Sequence, residues 1–331
     1  MGVTLGGSNL KSHRLLSLLF ACLIGCTNAW SQSYPSRPIK VIVPMQAGTA
    51  GDSIMRIVAE QISANIGHPL IIENITGAAG LIGAERIAHA PADGYTIGAM
   101  SDSMLAVVPH LQPRINYDPL DGFEPVSLVA SITSVLVVNP QLAITNIAEF
   151  VALAKARSGM VDYASGGVGS QQHVAMAVFS DATGVSLNHV PFRGASQAAM
   201  EVVSGRIPVM FVALSIALPL IKDGRLRAIA VASKGRSALL PDVPTVSESG
   251  LPGFVFTPWV AIYAPKGTPK QIVDRLHLET VAAVQSSAVR GRLLALGLEP
   301  ETLSPNELSQ RTRDEFDRMG KLIKASGIKN E

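Results

Sequence analysis

Apolar and polar positions follow two periods along this chain, and the periods trade places almost from end to end. Ile39–Val43 is a β-branched run closed by Pro44, after which Ile54, Ile57, Val58, Ile62 and Ile66 recur at helical spacing. Leu70–Ile72 predicts a strand, Gly80–Ala90 a helix and Tyr95–Met100 another strand. Val126–Val138 is one long β-rich run, and a helix is predicted after it, from Asn146 as N-cap to Arg157. The order then repeats, with a strand at Val161–Ala164, a helix at Gln171–Thr183, a strand at Asn188–Phe192 and a helix at Ala195–Val203. Strands at Ile207–Val212 and Leu226–Ala232 precede Asp242–Gly253, which is rich in Pro, Ser and Gly and reads as a connecting loop. Trp259–Ala264 is the last predicted strand, followed by helices at Pro269–Ser286, Ala288–Leu296 and Asn306–Ala325. This alternation predicts an α/β fold with mainly parallel sheets covered on both faces.

One unit occurs twice. Strand, Gly-rich turn and helix span Val41–Ile66 and again Val161–Thr183. In open α/β sheets small ligands sit beyond the carboxyl ends of strands, where such turns lie. Two of them facing each other make a cleft between two lobes, suited to clamping a small molecule.

Composition narrows the partner. Residues 1–33 have the layout of a signal peptide, with Lys11, His13 and Arg14 before the apolar run Leu15–Ile24. That run is shorter than the ~20 residues a bilayer span needs, so it predicts export rather than anchoring. Thr27 and Ala29 fit cleavage after Ala29, while Leu23-Ile24-Gly25-Cys26 has the form of a lipobox that would lipidate Cys26. Lys11 and Arg14 are two of 27 basic residues and the leader holds no acid, so the mature chain carries 25 charges of each sign. A neutral chain with 5% aromatic residues does not suit a phosphate backbone or stacked bases, and no nucleic acid is expected. Both cysteines, Cys22 and Cys26, lie in the leader, so no disulfide staples the mature fold. Roughly 300 mature residues exceed what one core usually supports, which predicts two domains.

Several segments can carry chemistry. Ala47-Gly48-Thr49-Ala50-Gly51-Asp52 joins the first strand to the first helix, where glycine and a helix start gather N–H groups around an anionic oxygen. The same residues also make a plain turn with Asp52 as N-cap. The spacing matches neither a P-loop nor GxGxxG, so nucleotides are disfavoured. Ser165-Gly166-Gly167-Val168-Gly169-Ser170 repeats the logic before the second helix. Ser170 with His173 admits a hydrolytic reading, but the residues around Ser170 do not form a nucleophile elbow. Gly77–Gly83 reads as close helix packing on a sheet. Ser101-Asp102-Ser103 falls at a carboxyl edge, either facing a ligand or capping the next helix. Arg193 is the best single cation for an acid. The seven histidines show no metal-ligand spacing, and no metal or cofactor is expected.

These segments, in this order, resemble the extracytoplasmic solute-binding proteins of tripartite tricarboxylate transporters, the Bug family. The resemblance runs through Tyr34–Ile39, Pro44–Asp52, Glu73-Asn74 with Gly77–Gly80, Ala90–Thr96, Ser165–Ser170 with His173, and His189–Gly194. It continues through Leu240–Thr245, Gly250–Gly253, Trp259 and Ala264–Pro269. It implies a two-lobed periplasmic binding fold of the Venus-flytrap type with two crossovers between lobes. On that basis residues 34–132 plus 256–331 form the first lobe and 133–255 the second. It further implies a periplasmic, non-enzymatic, monomeric receptor that captures a di- or tricarboxylate or an aromatic acid and delivers it to membrane permease subunits. A client that is a sensor histidine kinase, or a hydrolase using Ser170 and His173, are the alternatives. Carried onto this chain, the ligand-binding residues are Ala47, Gly48, Thr49 and Asp52 on one wall and Gly166, Gly169 and Ser170 on the other. Ser101 and Ser103 are expected to line the first lobe, and Phe192 with Arg193 the second. The chain departs from the family pattern at Met45, where an aromatic is usual, at Thr49, where a second Gly is, and at Pro208, where an Asp is common.

Overall fold

The computed structural model describes residues 34–112 and 114–326, together with Met1 and Gly2. The rest of the expected leader, including Cys26, lies outside the described residues.

β1 (Ile39–Val43) is buried at all but Lys40, and it leads through the first Gly-rich turn into α1 (Ala50–Ile66). That helix buries Ile54, Ile57, Val58 and Ile62 and stops at Gly67, whose φ of 72° supplies the left-handed cap. β2 (Leu70–Asn74), α2 (Leu81–Ala88) and β3 (Thr96–Ser101) follow, then a π turn at Ser103–Val107 and the short α3 (Val108–Leu111). The single run Val126–Val138 proves to be two strands, β4 (Phe123–Ile132) and β5 (Ser134–Val138). They belong to different sheets, so Thr133 between them is a crossover. The apolar pattern passes through it unchanged because both strands are buried on both faces.

α4 (Ile147–Ala156) starts at Asn146, whose side chain accepts the Glu149 N–H at 2.9 Å, the cap expected from sequence. β6 (Asp162–Ser165), α5 (Gln171–Thr183), β7 (Asn188–Pro191), α6 (Ala195–Val203), β8 (Val209–Ala213), α7 (Leu214–Lys222) and β9 (Arg227–Val231) complete the second sheet and its helices. The chain returns through β10 (Trp259–Pro265), α8 (Lys270–Gln285), α9 (Ser287–Ala295), β11 (Leu298–Pro300) and α10 (Pro305–Ser326).

The strand orders are β11-β4-β10-β3-β1-β2 and β7-β6-β8-β5-β9. Both sheets are mixed rather than mainly parallel. β1 pairs parallel with β2 and β3, and β6 with β7 and β8, as βαβ units require. The strands that carry the chain between sheets run the other way: β10 is antiparallel to β3 and β4, and β5 to β8 and β9. Each lobe has its own core, around Trp259, Met100 and Tyr263 in one and Phe150, Phe179 and Phe211 in the other. Residues 256–331, expected whole in the first lobe, contribute Phe256, Met319 and Ile323 to the second core. Among the described residues no helix is long and apolar enough to cross a membrane.

Candidate functional site

The turn after β1 is organised around one buried carboxylate. Thr49, not Asp52, caps α1: its hydroxyl accepts the Asp52 N–H at 3.5 Å and donates to the Gln46 carbonyl at 2.8 Å. Asp52, 2% exposed, turns back and accepts from the Gly48 N–H at 2.9 Å, from Arg56 Nε at 2.9 Å and from Asn74 Nδ2 at 2.9 Å. Asn74 also donates to the Met45 carbonyl, which ties the end of β2 to the turn. Burial alone would raise the Asp52 carboxyl, but the bonds from Arg56, Asn74 and Gly48 outweigh it and hold it below the usual carboxylate range. Gly48 and Asp52 thus satisfy each other. The amides left for a ligand are those of Ala50 and Gly51, which no carbonyl of their own helix reaches.

The second turn follows the same plan with different parts. Gly167 and Gly169 hold φ of 122° and 75°, which folds the turn back over its own strand. Ser165 Oγ accepts from the Gly167 N–H at 3.1 Å and meets His189 Nε2 at 2.6 Å. Ser170 caps α5 by accepting the His173 N–H at 3.4 Å. His173 Nδ1 accepts from the Gly169 N–H at 3.1 Å, and its ring stacks on His189 at 4.0 Å. Burial and then the neighbouring His189 push His173 down to about 4, so it is neutral at pH 7. Ser170 and His173 therefore meet through a helix cap and not as a nucleophile bonded to a base. The free amides here are again the first of the helix, at Gln171 and Gln172.

Both helix starts open on one cavity of about 590 Å³ between the sheets, within the ~300–1,000 Å³ usual for small-ligand sites. Of the residues proposed from sequence to bind ligand, Thr49, Ser101, Ser103, Gly166, Ser170, Phe192 and Arg193 line it. Ala47, Gly48, Asp52 and Gly169 are not in its lining: Gly48, Asp52 and Gly169 are engaged within their own turns, and Ala47 faces outward, exposed. The structure adds residues that sequence reasoning passed over. Thr76 and Gly77–Gly80, the latter part of the stretch Gly77–Gly83 read as helix packing, line the wall beside Ser101, with Ala78 and Ala79 held at φ of 47° and 54°. Non-glycine residues in that region are uncommon and concentrate at ligand clamps. Gln46, Met104, Gln171 and Ile216 also face the cavity, and a single sequence carries no local signal for them, whereas Met45, which faces it too, stood out as a departure from the family pattern.

Among the described residues, three side-chain hydrogen bonds cross the cleft between the segments of the two sheets. Ser103 Oγ donates to the Gly169 carbonyl at 2.7 Å, Gln171 Nε2 to Asp102 Oδ1 at 2.8 Å, and Gln46 Nε2 to the Arg193 carbonyl. Asp102, behind Ser101 and Ser103, is pushed up to about 7 by burial and by Glu315, against the opposing bonds from Gln171 and the Ser103 N–H. A second cavity of about 590 Å³ lies at Glu124, Lys266, Lys270 and Asp274. Its charges are paired, Lys266 with Glu124, Lys270 with Asp274 and Asp121 with Arg313 outside the lining, so no donor cluster converges there among the described residues.

Residues 54–328 match the model of the tripartite tricarboxylate transporter family receptor. The chain is 36% identical to protein BugT of Bordetella pertussis over 90% of this chain and 92% of that one. It is 37% identical to a UPF0065 protein of Pseudomonas sp. strain P51, over 96% and 95%. Among solved structures, the periplasmic binding protein BugD superposes with a TM-score of 0.84 at 30% identity, covering 90% of this chain and all of that one. MatC from Rhodopseudomonas palustris with bound malate gives 0.82 at 30%, covering 88% of this chain and 100% of that one. An R. palustris protein with adipate gives 0.86 at 30%, covering 89% and 99%.

Proposed function

The chain belongs to the tripartite tricarboxylate transporter receptor family, and from that premise we propose that it captures a small organic carboxylate between its two lobes and hands it to membrane permease subunits. One observation carries this reading: the starts of α1 and α5, on opposite walls, open on the same cavity. Each helix start adds partial positive charge to its unpaired amides, and a carboxylate between them receives charge-assisted bonds from both sides. The Ser101 hydroxyl, which has no side-chain hydrogen bond among the described residues, adds a donor from the first lobe. The malate and adipate of the structural relatives are acids of the size this cavity accepts.

The mechanism follows from the two walls. The acid docks on the first lobe at Ala50 and Gly51, and the second lobe then brings Gln171 and Gln172 against it. Closure excludes water and strengthens every bond in the shell. The closed surface is what a permease reads, so loaded and empty receptor differ to the partner. The lobes divide near Thr133 and Phe256, the leader directs the chain to the periplasm, and the mature receptor acts as a monomer.

A thermal-shift screen against carboxylic acids tests the reading. An acid present at 100 times its Kd stabilises the protein by about 2.7 kcal/mol, a shift of several degrees. Absence of any stabilising acid across mono-, di- and tricarboxylates would refute it.

A further inference from the structure

The lining of the cleft divides by chemistry. Among the described residues that line it, Arg193 is the single charged side chain, and it is exposed. The hydrogen-bond donors come from turns and helix starts. Packing is tight around Gly166, where a Cβ would lie 3.0 Å from the Ala195 nitrogen and 3.1 Å from the Gln172 side-chain oxygen. Apart from Gln112, the remaining surface is apolar and comes from both lobes. In the first lobe Met45 and Met104 each lie over a bare glycine: a Cβ on Gly51 would fall 2.2 Å from the Met45 sulfur, and one on Gly80 2.5 Å from the Met104 methyl. Ile132 and Ala213 flank the crossover at Thr133, whose carbonyl accepts the Leu214 N–H at 2.8 Å, and Ile216 and Phe192 extend the surface in the second lobe. None of these side chains offers a donor or a countercharge.

The charge arithmetic then favours one anionic group. Two opposed helix starts, each worth about half a unit of positive charge, together match a single carboxylate, and the one further cation, Arg193, is exposed, where water screens its pairing with a second carboxylate. A second ionised carboxylate lying on thioethers and methyl groups loses its water without gaining a partner. An apolar ligand body, by contrast, gains contact with two flexible, polarizable methionines that adapt to a ring or a branched chain. We infer that this cleft, given its role as a carboxylate site as argued above, prefers monocarboxylates with an uncharged apolar body to di- and tricarboxylates, and that Met45 and Met104 set the preference. Met45 packs directly over Gly51, so the ligand's body rests on its thioether beside the amides that take the head group.

Isothermal titration of the mature protein with phenylacetate, 4-methylpentanoate, adipate, malate and citrate decides the matter. The two monocarboxylates are expected to bind at least about tenfold more tightly than the other three. Met45→Lys places an ammonium on the apolar wall at a half-buried position, and it should lower phenylacetate affinity and raise adipate affinity. Met104→Leu conserves volume and should keep the wild-type order. Adipate, malate or citrate binding as tightly as the monocarboxylates would overturn the inference while leaving the receptor reading intact. Binding of none of the five would remove both, and an unaltered order in Met45→Lys would take the preference away from the methionines.

Discussion

Asp102 sits between two serines that line the cleft, 5% exposed, and its hydrogen bonds come from the Ser103 N–H and the Gln171 amide rather than from a cation. Its midpoint near 7 in the folded protein against the ordinary value of 3.8 has a definite consequence for stability. Below the ordinary value the group is protonated in both states and costs nothing. Between the two values the unfolded chain releases the proton and the folded one keeps it, so stability falls as pH rises, by at most about 1.4 kcal/mol per pH unit. Asp102→Asn keeps both hydrogen bonds and removes the titration. The variant should therefore gain on the wild type from pH 4 to pH 7 and hold its advantage above that. Paired thermal melts between pH 4 and 8.5 measure this, and a constant difference across the range would contradict the account. His173, pushed down to about 4, acts in the opposite sense, since stability is lost as pH falls below its ordinary value of 6.5. Only the difference between variant and wild type isolates Asp102.

The two Gly-rich turns use the same design at the scale of an element. A hydroxyl at the N-cap closes each helix start, Thr49 for α1 and Ser170 for α5, and leaves the next two amides free. Removing either cap, by Thr49→Ala or Ser170→Ala, should cost about 1 kcal/mol in chemical denaturation. Each should also weaken acid binding, because both hydroxyls line the cavity. Loss of stability without loss of affinity would reduce these residues to caps alone. The strand–turn–helix units were legible because β-branched runs, glycine turns and 3.6-residue periods follow one another in the text of the chain. α7 was not, since it has no side-chain cap and carries Pro219 within it. The break at Thr133 was hidden for another reason: two fully buried strands of different sheets look alike from outside either sheet.

At the scale of the whole molecule, the cleft is held by contacts between residues far apart in sequence. Gln46 reaches the Arg193 carbonyl, and Gly194 permits the approach, because a Cβ there would collide with the Gln46 carboxamide. Gln46→Ala is expected to leave the melting temperature nearly unchanged and to speed ligand release several-fold, as loss of one cross-cleft bond worth about 1 kcal/mol implies. Stopped-flow dissociation reads that rate. Small-angle scattering of the mature protein should show a smaller radius of gyration at saturating acid, and an unchanged radius would count against lobe closure.

Local rules, read from the sequence alone, were enough to specify two α/β halves and two glycine turns poised at helix starts. They also placed Ser101 and Arg193 at strand ends and Ser170 at a helix start, on the side of the sheet where ligands gather. Which amides remain free was decided only in three dimensions. Asp52 and His173 reach back to occupy the N–H groups of Gly48 and Gly169, and those bonds depend on partners such as Asn74 and His189 contributed by other strands. The apolar floor likewise exists only after folding, when Met45 settles on Gly51, Met104 on Gly80, and Ile132 meets Ala213 across the crossover. Period and propensity act between neighbours along the chain; which side chains share a cavity wall depends on how the sheets close against each other.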